Sequence, residues 1–263
     1  MEPILWDKIL ASKLYRFSIG PQKREFTVHS ALVEIQSPAL NTFVNNTKFK
    51  EAGDGHAELE DVEVETFVAF TEYAYTGKYG GADAPALAAP AAPPPRYDAY
   101  SRAYTNGAYR TPKVSRLWAT FTTAVSAACP ADHQPCTNTA NKLPGDGCAD
   151  VRPVLLRHAR LYVFADCYGI SRLMDLSFYN LGQVLVAFDL VDHNMREIRV
   201  EVIVALLRYC YDDPTPELLK SLVVRYAACN AERLWESKSF QELLAAHAEL
   251  AAALVGLMVE RLD

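Results

Sequence analysis

The feature that most constrains this chain is a stretch that does not look like folding sequence. Residues 80–150 hold nine of the fifteen prolines in the 263-residue chain. The stretch opens on Gly80-Gly81 and runs through Ala- and Pro-rich sequence to Pro93-Pro94-Pro95. Such a composition offers few apolar clusters to offset the entropy of ordering a backbone. The expectation is a disordered insertion between two folding blocks, residues 1–79 and 151–263. Half of all residues are apolar and 22% charged, a globular balance.

The first block mixes strand and helix signals. Pro3 to Ser12 reads as a short helix. Tyr15, Phe17 and Ile19 alternate with polar residues, the period of a half-buried strand. Gly20-Pro21-Gln22-Lys23 is turn chemistry, and Phe26 and Val28 alternate again, so a hairpin is expected. Ala31 to Leu40 reads as helix with a break near Ser37-Pro38, where proline suits a new helix start. Ala57 to Leu59 reads as a third strand. Asp61 is expected to cap a helix whose buried face carries Val64, Phe67, Val68, Thr71 and Tyr75, with Gly77 as its C-terminal cap.

The second block reads as almost wholly helical. Val154 to Cys167 is one helix, ended by Gly169, and Ser171 is expected to cap the next. Residues 197–211 alternate in a way that also fits a strand. Their helical flanks favour helix. Pro216–Ala228 and Phe240–Arg261 complete the set, the last with an alanine-rich run, alanine being the strongest helix former.

Several residue runs resemble one known family. Phe26-Thr27-Val28-His29-Ser30-Ala31-Leu32 and Ser37-Pro38-Ala39-Leu40 resemble the BTB/POZ pattern of a strand entering a helical hairpin. Phe49-Lys50-Glu51, Leu59-Glu60-Asp61-Val62 and Tyr73-Ala74-Tyr75-Thr76-Gly77-Lys78-Tyr79 continue it in order. Ala159 to Ile170 is similar to the family's next helix, and Leu222 to Ala227 to the helical tail of fungal members. The resemblance implies an α+β fold, the BTB/POZ fold of a small sheet flanked by helices, followed by an α-helical C-terminal extension. It divides the chain into a first BTB part at 1–79, the insertion at 80–150, the last BTB helices at 151–185 and the extension at 186–263.

The family is one of protein–protein interaction, and its implied functions are of that kind. One is a substrate adaptor for a cullin-type ubiquitin ligase. Phe49 and Glu51 resemble the apolar-x-Glu motif by which some members hold a cullin, an apolar anchor beside an orienting carboxylate. The other reading of the pair is an ordinary helix end. The alternative function is a BTB oligomerisation or scaffold protein without a ligase, in transcriptional regulation for example. Ile4, Leu5, Trp6 and Ile9 are candidates for self-association, because exposing all four on a monomer would leave an apolar patch. The family commonly carries an acidic residue near the position of Arg16 and a basic one at that of Ser30. Here both differ, which puts the charged pocket they line in doubt.

Other constellations favour bland readings. No nucleophile or acid pairs with His29 at a recognisable spacing, so a structural role is expected. Cys129, His133, Cys136 and Cys148 do not follow the usual paired spacing of zinc ligands. Cys167, Cys210 and Cys229 lie in apolar helices and read as inert core thiols. Arg96, Arg102, Arg110, Lys113 and Arg116, interleaved with tyrosines, suit a solvated linker better than a nucleic-acid groove. A net charge of −6 argues against general phosphate binding. Apolar runs such as Val200–Leu207 are far below the ~20 residues of a membrane span. No catalytic residue, metal or cofactor, nucleic acid or membrane is expected. Six cysteines are too few for a disulfide scaffold, and the N-terminus does not read as a secretory signal. An intracellular protein of the cytoplasm and/or nucleus is the expectation.

Overall fold

A computed structural model describes residues 6–45, 56–80, 112–130, 151–188, 190 and 196–260. The chain divides into two units. Met1–Ala84 with Arg160–Met174 make the first, and Pro85–Ala159 with Asp175–Asp263 the second. Of the stretch 151–185, the middle therefore belongs to the first unit and both flanks to the second.

In the first unit the elements run α1 (Trp6–Leu10), β1 (Leu14–Ile19), β2 (Arg24–His29), α2 (Ser30–Gln36), α3 (Pro38–Asn45), β3 (His56–Leu59) and α4 (Val64–Thr76). The alternating run does make β1. It is the centre of a three-stranded sheet of order β2-β1-β3. β2 pairs with it antiparallel, Phe17 opposite Phe26, and β3 pairs parallel, Phe17 opposite Ala57. The hairpin turn needs two left-handed residues. Gly20 at φ 70° adopts that geometry freely, and Lys23 adopts it at φ 49°. The break between α2 and α3 is fixed by Ser37. Its hydroxyl accepts the amide of Leu40 at 3.0 Å, capping α3, and donates to the carbonyl of Tyr168 at 2.6 Å.

An aromatic chain fills the core of this unit. Phe17 meets Phe67 at 5.2 Å between ring centroids, Phe67 meets Phe70 at 5.9 Å, and Phe70 meets Phe164 at 5.0 Å. This chain corrects the expected face of α4. The buried stripe is Thr66, Phe67, Ala69, Phe70, Tyr73 and Ala74, whereas Val68 is exposed and Tyr75 half-buried. Phe67 lies on both faces, and burying Phe70 removes more apolar area from water than burying Val68, so the phenylalanine pair sets the rotation of the helix. The cap also differs. Glu63, not Asp61, stands at the N-cap and makes no side-chain cap. Its carboxylate is drawn away to Arg160, 2.7 Å distant. Gly77 ends α4 in the left-handed conformation at φ 73°, as its sequence position suggests.

The second unit is helical: α5 (Pro112–Ala127), the first half of α6 (Arg152–Cys167), most of α7 (Ser171–Ala187), α8 (Arg196–Asp212), α9 (Glu217–Cys229), α10 (Ala231–Leu234), α11 (Lys238–Ala246) and α12 (Ala248–Glu260). The ambiguous run 197–211 is helix α8. Its burial extends around the cylinder, through Val200, Val202, Ile203, Val204, Leu206, Leu207 and Cys210, which is why a single stripe was not visible. α9 is the centre, packed against α5, α8 and α12.

Two sequence expectations change here. The insertion contains a 16-residue helix, α5, whose Leu117, Phe121 and Val125 are buried, so residues 112–127 are not disordered. The alanine-rich C-terminal segment is two helices, bent by 109° at His247. The imidazole Nε2 of His247 lies 2.8 Å from Asp212 at the end of α8, a tertiary contact that overrides the propensity for one continuous helix. No single described helix is long and apolar enough to cross a membrane.

Candidate interaction surface

α1 is short, yet it is tied down. The Ser12 hydroxyl donates to the Ile9 carbonyl at 2.7 Å and accepts the Ala31 amide at 3.3 Å. The Ser30 amide donates to the Lys13 carbonyl at 2.8 Å. These bonds fix the end of α1 to the start of α2.

The helix buries one side chain and shows two. Ile9 is 0% exposed, so it is a core residue of the single chain and not part of an open patch, contrary to its expected role. Trp6 is 47% exposed, and Leu10, one turn further on, 65%. Leu14, the first residue of β1, is 62% exposed. Ile4 and Leu5 lie outside the described residues, as do Phe49 and Glu51.

Leu10 and Leu14 were missed in the sequence, although a signal existed. In β1 the odd positions Tyr15, Phe17 and Ile19 point into the core. An apolar residue at an even position of the same strand therefore points outward, and Leu14 is one. Leu10 follows Trp6 by four residues, the spacing of one helix face.

Arg16 reaches Glu25 at 3.9 Å, both side chains largely exposed, so a pair of this kind contributes little. At the turn, Lys23 bonds Glu58 at 2.9 Å, and this hydrogen bond and its charge hold the Glu58 carboxyl below its ordinary range. His29 bonds Tyr75, with Nδ1 2.7 Å from the hydroxyl, a structural role as expected from its sequence context.

One pair has the look of catalytic chemistry and was not foreseen. Ser18 Oγ and His56 Nε2 are 2.9 Å apart. Ser18 is only 4% exposed, on the central strand, so an incoming carbonyl has no path to its oxygen. The bond satisfies a buried hydroxyl instead. Of Cys129, His133, Cys136 and Cys148, whose spacing argued against zinc, only Cys129 is described, its thiol 3.8 Å from the Pro130 carbonyl. No cluster of three or more metal-ligating side chains occurs among the described residues. Burial pushes the Cys210 thiol up to about 12, in keeping with an inert core residue, whereas Cys167 is exposed and is not the core thiol expected.

Among its described residues, this unit presents an apolar surface at Trp6, Leu10 and Leu14. Residues 14–85 match the sequence profile of the BTB/POZ domain. No curated protein shows significant similarity to the chain.

Proposed function

Residues 14–85 form a BTB/POZ domain, a protein–protein interaction module of a generally non-enzymatic class, and from that premise we propose that this chain self-associates through α1 and the start of β1. The carrying observation is the exposure of Trp6, Leu10 and Leu14 on a helix and strand that are firmly hydrogen-bonded to the fold. Burying such side chains releases on the order of 1.5–3 kcal/mol each.

Light scattering tests this. The wild-type chain is expected at about twice its 29.2 kDa at micromolar concentration. Trp6→Glu with Leu10→Glu is expected to give a monomer that still unfolds cooperatively, because neither side chain is buried in the single chain. A wild-type monomer would overturn the reading.

A second reading is carried by Phe49-Lys50-Glu51, which lies inside the matched segment and resembles the cullin-holding motif. In it the chain is an adaptor for a cullin-type ligase. Phe49→Ala should then remove an aromatic anchor, costing roughly 2 kcal/mol of binding, and Glu51→Ala should cost less, with an effect that shrinks in salt. Pull-down of a cullin by the wild type and not by a stably folded Phe49→Ala supports it. No cullin in the wild-type pull-down leaves self-association as the function.

A further inference from the structure

Helix α5 stands apart from its neighbours in how it joins the chain. In sequence it is joined to the described residues before and after it by segments 81–111 and 131–150. At full extension these reach roughly 100 Å and 65 Å. The neighbouring helices α8 to α12 follow one another by links of a few residues at most.

The contact α5 makes is that of a ligand helix in a groove. Leu117, Phe121 and Val125, spaced by four, form its buried line. Arg116, Ala119, Thr120, Thr123 and Ala124 remain exposed, so the helix presents one narrow apolar stripe. The opposing surface is shaped for it. At Gly182 in α7, an added Cβ would stand 2.6 Å from both Cγ atoms of Val125, so the missing side chain is a notch that Val125 fills. On the other side Phe121 meets Tyr226 of α9 at 5.8 Å between centroids, and Trp118 meets it at 6.4 Å. The Tyr226 hydroxyl donates to the carbonyl of Phe188 at 3.0 Å, which fixes that ring from behind. The wall is thus held by its own unit.

We infer that the surface between α7 and α9 is a helix-binding groove, and that α5 is an exchangeable occupant, donated in cis or by a second copy of this chain. An amphipathic helix laying its apolar face into a hydrophobic groove is a recurring mode of recognition. Seating of α5 in its own chain is unimolecular and independent of concentration, so the cis form dominates in dilute solution. Exchange between copies grows as the chain is concentrated. This interface differs from the α1–β1 surface and does not depend on it.

A labelled synthetic peptide of residues 112–127, added to the full chain, tests the inference. With the wild type, the cis helix should hold the groove and suppress binding at least tenfold relative to a chain whose helix cannot seat. Phe121→Asp in the full chain should free the groove and give saturable binding. Phe121→Ala, a milder change, serves the same purpose if the charged variant fails to fold. Adding Gly182→Leu to either should fill the notch and abolish binding. No binding to either folded anchor variant, or binding that survives Gly182→Leu, would overturn the inference. So would loss of cooperative unfolding in both anchor variants, since α5 would then be a fixed part of the core.

Discussion

The hydroxyl of Tyr75 lies 2.7 Å from Nδ1 of His29 and 3.3 Å from the same residue's backbone nitrogen. It accepts the amide proton and can donate its own to the ring. One side chain of α4 therefore satisfies two groups at the end of β2, where the strand passes into α2. The ring faces are also nearly perpendicular, with centroids 5.9 Å apart.

Tyr75→Phe keeps the ring and removes both bonds. A half-buried amide and an imidazole then lose a partner, which costs about 1–2 kcal/mol. Denaturant titration should show a lower midpoint with unchanged slope. An unchanged midpoint would mean that the bond is not held in solution.

Why was the first unit legible and the second less so? β1 alternates with a strict period of two, and Gly20, Ser37-Pro38 and Gly77 each mark a boundary by backbone chemistry. Those signals are local, and the structure honours them. The face of α4 is not local: Phe17, Phe26 and Phe164 choose which side of the helix is buried, and none of them is near it in sequence. The same holds at His247, where Asp212, 35 positions earlier, bends an alanine-rich run. α5 was hidden for a different reason. Leu117, Phe121 and Val125 make a clean helical stripe behind Pro112, a favoured first helical residue, but the average over residues 80–150 is dominated by proline and alanine. The interaction surface was half visible: Trp6 stood out as an exposed aromatic, and Leu14 needed the strand parity.

The cysteines give a separate check on the second unit. Cys210 is buried in α8, and burial pushes its thiol up to about 12. A raised value keeps it protonated through neutral and mildly alkaline pH, and only the thiolate reacts. Cys167, at the exposed end of α6, meets reagent directly. Maleimide at pH 7.5 should label Cys167 within minutes and leave Cys210 unlabelled until the protein is denatured, as read by peptide mass spectrometry. Equal labelling of both in the native protein would contradict the packing of α8.

Removing the insertion separates its parts. Loop closure depends only weakly on length, so deleting residues 82–108 should leave the melting temperature nearly unchanged. Deleting 82–148 also takes away Leu117, Phe121 and Val125, and uncovers Tyr226 and Gly182. The lost burial is at least that of a large core side chain, about 3–5 kcal/mol. The larger deletion should therefore unfold at a markedly lower temperature, still in one cooperative step for the second unit, because α8, α9, α11 and α12 pack on one another without α5. Calorimetry on the two deletions decides this. Equal melting temperatures would show that α5 contributes nothing to the unit, and that its stripe is not seated against α9 in solution.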